Sequence, residues 1–279
     1  MEASAWRARE RINLARAAIV ATLLVVAALS WLLTHERMAG MDEGPGTDPG
    51  SLGFYVSAWV VMMAAMMFPS AGPMVVAHAT VQRRKRDLGR TAERGGTAAF
   101  VGGYIVVWTA FGIVAYALFE LLRSLDVDAL AWSRNGRYAA SAVIAIAAIY
   151  QLTPLKDVCL ARCRSPLAFV VGSWRDGRLG AARMGIEHGG WCVGCCWALM
   201  VTLFALGFMS VTWMAVIAGL VAVEKLLPWE RVAKGGIALL LVVLALGVAL
   251  APERLPGLTV PGRSEMPSME GAGRPSMDN

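Results

Sequence analysis

The chain has 279 residues, of which 57% are hydrophobic and 16% charged, with a mean hydropathy of +0.56. That much apolar surface cannot be hidden in a soluble core of this size, so the composition excludes a water-soluble globule and points to a polytopic membrane protein. The net charge of +6 does not signal nucleic-acid binding, because the basic residues sit in short loops between apolar runs, where orientation in the membrane accounts for them.

Seven apolar stretches read as transmembrane helices, at about 15–33, 54–78, 98–122, 138–153, 187–208, 211–227 and 236–251, which makes the expected fold all-α. The first follows a basic start but has no small-residue cleavage site before His35, so it is expected to be a retained span. The fourth, sixth and seventh are short, and the fourth draws on the loop that follows it. Nineteen of the 26 Lys and Arg fall in the segments on one side of these spans. This asymmetry predicts a cytoplasmic N-terminus and an outward C-terminus in the inner (plasma) membrane. The expected organisation is an N-terminal helix and outer loop (1–52), a metal-binding membrane domain (53–228), a C-terminal helix (229–251) and a disordered tail (252–279).

The loop from His35 to Leu52 carries Glu36, Asp42, Glu43 and Asp48 among Gly and Pro and reads as a flexible acidic linker. In the second span, Met62, Met63, Met66 and Met67 precede Pro69, with Pro73, Met74 and His78 further on. At about 100° per residue, these methionines and the histidine fall within an arc of about 160°. The two prolines predict a bend. Methionine is a common core filler, yet four thioethers in six residues followed by a histidine fit a soft-metal path better. The third span, with Gly102, Gly103 and Gly112 beside Tyr104 and Trp108, reads as close helix packing with interfacial aromatics and carries no assigned chemistry.

The fourth span leads through Thr153 and Pro154 to Cys159 and Cys163, whose spacing puts both thiols on one helical face. The fifth holds the densest chemistry, with His188, Cys192, Cys195 and Cys196 within an arc of about 100°. Thiolates beside an imidazole are a ligand set for Cu(I) or, second, Zn(II). The second, fourth and fifth spans are therefore expected to be adjacent, bringing His78, Cys159, Cys163 and Cys192 together. In the sixth, Glu224 and Lys225 are expected to reach the interface. A sharper alternative has Glu224 orienting a ligating histidine. Met266, Met269 and Met277 lie in the tail, too irregularly spaced to form a site.

Four segments together carry a family resemblance: Trp59 to Ser70, Leu152 to Pro166, His188 to Met200 and Trp213 to Leu226. They resemble a bacterial family of predicted metal-binding integral membrane proteins, often labelled copper chaperones. The resemblance runs from about Phe54 to Leu227, and the residues around Gly194–Cys195–Cys196–Trp197 are its most specific part. It implies a metal-binding membrane protein exchanging its ion with a donor or acceptor protein. Three functions compete on the residues alone. A Cu(I) carrier uses the methionines to feed the Cys/His cluster, since thioethers bind Cu(I) more weakly than thiolates. A membrane thiol oxidoreductase uses the C-x-x-C of Cys192 and Cys195 with Cys159 and Cys163 as a second dithiol. A structural Zn(II) site uses Cys and His and leaves the methionines idle. No Walker A sequence is present, so the chain is not a self-contained ATP-driven pump of that type.

Overall fold

In lipid every backbone N–H and C=O must be satisfied internally, and a helix does this within one segment. The computed structural model describes residues 2–38, 50–89, 95–124 and 135–254. Among the described residues there are nine α-helices and no strand: α1 (Glu2–Met38), α2 (Leu52–Asp87), α3 (Gly96–Ser124), α4 (Arg137–Gln151), α5 (Pro154–Arg164), α6 (Pro166–Gly172), α7 (Gly177–Leu206), α8 (Val211–Leu226) and α9 (Glu230–Leu250). The acidic residues Asp42, Glu43 and Asp48 and the tail methionines lie outside the described residues.

Five helices are long and apolar enough to cross a membrane: the Asn13–Met38 part of α1, then α2, α3, α7 and α9. The pair α4 and α5 makes a sixth if it is counted as one span, although it bends by 67°. The remaining expected span is the 16-residue α8. At 1.5 Å per residue it is about 24 Å long, short of a hydrocarbon core of about 30 Å. Among the described residues five helices, or six with the bent pair, thus satisfy the length criterion where seven spans were expected.

Local sequence sets the helix ends. Ser51 caps α2, its Oγ accepting from the Phe54 N–H at 3.4 Å, and Arg84, Lys85 and Arg86 occupy the last turn, where cations meet the negative end of the helix dipole. Between the two ends α2 remains helical through Pro69 and Pro73. The break between α4 and α5 follows from Pro154, which holds Thr153 extended (φ −79°, ψ 146°) and starts a new helix at its first position. The Thr153 Oγ1 then accepts from the Lys156 N–H, replacing a helical partner that this donor lacks. At the far end of α7, Gly207 adopts φ 106°, a backbone conformation that side chains rarely allow.

Helix α7 is the centre of the bundle, packed on α3, α4, α5 and α8, while α2 packs on α1, α3, α6 and α8. The α3–α7 contact is the most intimate, and it depends on glycine. A Cβ at Gly103 would strike the Ala182 carbonyl, and one at Gly185 the Phe100 carbonyl. Small residues let the two backbones touch, which is how helices associate in lipid where no hydrophobic drive separates protein from solvent. Outside this core, Val106, Val114 and Leu118 of α3 and Leu239, Val243 and Leu250 of α9 are exposed. Such an apolar outer surface is compatible with a multi-pass membrane protein.

Candidate metal centre

The face of α7 that turns inward carries His188, Cys192, Cys195 and Cys196, all buried. The Sγ atoms of the three cysteines lie within 4.8 Å of one another, with Cys195 and Cys196 3.3 Å apart. Thiolates bind metals at about 2.3 Å, so three sulfurs around one ion stand about 4 Å apart. The observed spread suits a single soft ion.

Helix α5 brings further sulfur to this face. The Cys163 Sγ lies 3.7 Å from that of Cys195. Cys159, one turn earlier, rests on Gly194, where a Cβ would come within 2.7 Å of its Sγ. Gly194 is therefore what lets α5 lie flat on α7, and Tyr150 at the end of α4 fixes the same level by donating to the Gly194 carbonyl at 2.5 Å. All five cysteines are free thiols.

Around the sulfurs lies a polar layer. The Lys225 Nζ donates to the Cys192 Sγ at 2.9 Å, and the Tyr104 hydroxyl lies 3.1 Å from the same atom. Next to it, Lys156 is fully buried and binds both Glu224 carboxylate oxygens at 2.7 and 2.8 Å, with a further hydrogen bond to Gln151. Arg164 completes the staple between α5 and the end of α8, donating to the Glu224 and Leu227 carbonyls at 2.8 and 2.6 Å. These contacts correct two expectations. Glu224 is 1% exposed, inside the protein and not on its surface, and its carboxylate is held by Lys156 in place of orienting a histidine. A lone charge buried this completely costs several kcal/mol, so the two charges are tolerated because they neutralise each other.

The two histidines have different settings. His188 lies among the rings of Phe100, Tyr104 and Phe169, at centroid distances of 6.0, 5.5 and 5.5 Å. Its Nδ1 has no hydrogen-bond partner among the described residues. His78 is stacked between Phe100 and Trp174 at 4.8 and 5.3 Å, and its Nδ1 lies 3.4 Å from the Thr97 Oγ1. Phe100 of α3 thus stands between His78 and His188. The expected convergence holds for α5 with α7 and does not extend to His78, because α3 intervenes at that level. Met62, Met63, Met66 and Met67 are buried in the same apolar core as Cys192, Cys195 and Cys196.

A family model described as PpoB2, copper chaperone, matches residues 56–248. The chain belongs to this family. The PpoB2 match starts in α2 and ends in α9, past the Leu227 limit of the resemblance read from the sequence, and it covers every element that carries the cluster. The copper chaperone label describes a binding protein, in keeping with a three-thiol cluster suited to a soft metal. No curated protein and no solved structure matches the chain.

Sequence reasoning did not place Tyr104 and Lys225 against the Cys192 sulfur, nor pair Lys156 with Glu224. Tyr104 and Trp108 were expected at the interface and are buried, Tyr104 at the Cys192 thiol and Trp108 accepting from the Trp59 indole N–H through its carbonyl at 2.8 Å. The available signal was the Glu224–Lys225 pair at the end of an apolar stretch, since an ionisable residue at membrane depth is a functional-site candidate by default.

Proposed function

We propose that this protein is a multi-pass inner-membrane Cu(I) carrier, with the ion as cargo and Cys192, Cys195 and Cys196 as its thiolate receptor. The observation that carries this reading is the clustering of those three buried sulfurs within 4.8 Å, with Cys163 3.7 Å from Cys195. Cu(I) prefers such soft donors, and thioethers bind it more weakly, so Met62, Met63, Met66 and Met67 form a relay that feeds the thiolates. His188, outside the three-thiol group and among the rings of Phe100, Tyr104 and Phe169, is a nitrogen donor on the approach to it, and Cys159 lies at the edge of the receptor. His78, set apart by Phe100, serves the route to the site and not the receptor itself. Zn(II) is the runner-up ion, because zinc also takes Cys and His.

With α4–α5 and the short α8 both counted as crossing, the basic residues favour a cytoplasmic N-terminus and cytoplasmic loops before α3, before α7 and before α9. In that orientation copper passes inward from the methionines of α2 to a receptor near the midpoint of α7 and on to a partner protein. Replacing Cys192, Cys195 and Cys196 with Ser is expected to abolish tight Cu(I) binding in competition with a chromophoric chelator. Met62→Leu with Met66→Leu is expected to leave stoichiometry intact and slow uptake, since leucine conserves apolar volume at a cost below ~1.5 kcal/mol. Unchanged affinity in the triple Ser variant would move the receptor elsewhere.

The 3.7 Å approach of Cys163 to Cys195 favours a second reading, a thiol oxidoreductase cycling a disulfide between α5 and α7 with a quinone or thioredoxin-like partner. It leaves the four buried methionines of α2 without a role.

A further inference from the structure

Helices α1 and α2 run antiparallel, with Arg16 beside Thr80 and Arg37 beside Ser57. Where their apolar sequence gives way to charge, they leave a cavity of about 330 Å³ between them. The cavity exists because the facing residues, Ala15 and Ala79, are both buried and too small to fill the gap. Its rim carries three guanidinium groups, from Arg16, Arg83 and Arg84, against the single carboxylate of Asp87. Arg83 and Arg84 make no ion pair among the described residues, and Arg16 has one side-chain hydrogen bond, to the Thr80 Oγ1 at 3.4 Å.

We propose that this cavity binds the phosphate headgroup of an anionic phospholipid. Three arginines around a notch with an excess of two positive charges match a phosphodiester, because the planar guanidinium fork pairs with phosphate oxygens two at a time. The depth is right as well, since the cavity opens at the boundary between the apolar part of α1 and the basic end of α2, where headgroups lie. Inorganic phosphate shares the chemistry of the rim. The apolar wall favours the lipid: Ile19 lines the cavity, and Val20 and Leu24 continue outward from it with 41% and 51% exposure, a surface for acyl chains. The site stands apart from the cysteine cluster and does not depend on the copper reading.

The test uses the full chain in phosphatidylcholine nanodiscs doped with phosphatidylglycerol, with lipid retention read by native mass spectrometry. One phosphatidylglycerol is expected to stay bound in preference to phosphatidylcholine. Replacing Arg16, Arg83 and Arg84 with Ala is expected to weaken retention by roughly fivefold for each arginine removed. Ile19→Trp fills the cavity and keeps every charge, and it is expected to lose the lipid as well. Arg86→Ala, on the same helix but off the rim, is expected to change nothing, and circular dichroism verifies that each variant is folded. Equal retention of both lipids, or retention unaffected by Ile19→Trp, would overturn the proposal. So would displacement of the lipid by millimolar inorganic phosphate, which would assign the site to the free anion.

Discussion

Cys192 is the residue on which the chemistry of the site converges. Its sulfur belongs to the three-thiol cluster and also meets the Lys225 ammonium at 2.9 Å and the Tyr104 hydroxyl at 3.1 Å. A charge-assisted hydrogen bond to a buried group is worth ~1.5–3 kcal/mol, discounted here because Lys225 is only partly buried. Lys225→Met is therefore expected to weaken Cu(I) binding by roughly tenfold, and Lys225→Arg to restore part of the loss. Chelator competition measures both, and equal affinity in all three proteins would remove Lys225 from the site. The clustering of Cys192, Cys195 and Cys196 was legible because helical spacing alone puts them on one face. Lys225 and Tyr104 were not, because each reaches Cys192 from another helix, and a single sequence does not encode which helices touch.

At the scale of elements, the α5–α8 staple holds the second helix of the site in place. Lys156 and Glu224 are both fully buried, so removing one partner strands the other's charge. Lys156→Met is expected to cost about 3–5 kcal/mol, whereas Lys156→Met combined with Glu224→Leu is expected to recover most of it. A double-mutant cycle on thermal unfolding in detergent checks this, and additive losses would contradict the pairing. The sequence announced the close α3 packing through its glycines, whereas the α4–α5 break at Thr153–Pro154 was not among its expectations. It misplaced the start of α7, because Arg178 and Arg183 depress the hydropathy of a stretch that remains helical. With the helix beginning at Gly177, Cys192 lies near its midpoint and not at its end. The sixth expected span, α8, is hydrophobic enough but at 16 residues falls short of the length criterion, whereas the seventh, α9, meets it.

For the molecule as a whole, the orientation proposed from the basic residues and the burial of the thiols act together. A membrane-impermeant thiol reagent is expected to leave the cysteines of intact cells unlabelled. On inside-out vesicles it is expected to reach Cys163 first, the one cysteine that is not fully buried. Prior loading with Cu(I) is expected to protect it, and acid to weaken that protection, because protons compete with the metal for thiolates. Labelling of intact cells that copper does not suppress would reverse the topology and favour the oxidoreductase.

The most direct test of the copper receptor is elemental analysis of the protein purified anaerobically, set beside a titration of its free thiols. Bound copper with all five cysteines reduced and partly shielded from the thiol reagent is the expected result. Metal-free protein with a redox-active disulfide, or stoichiometric zinc in place of copper, would contradict it.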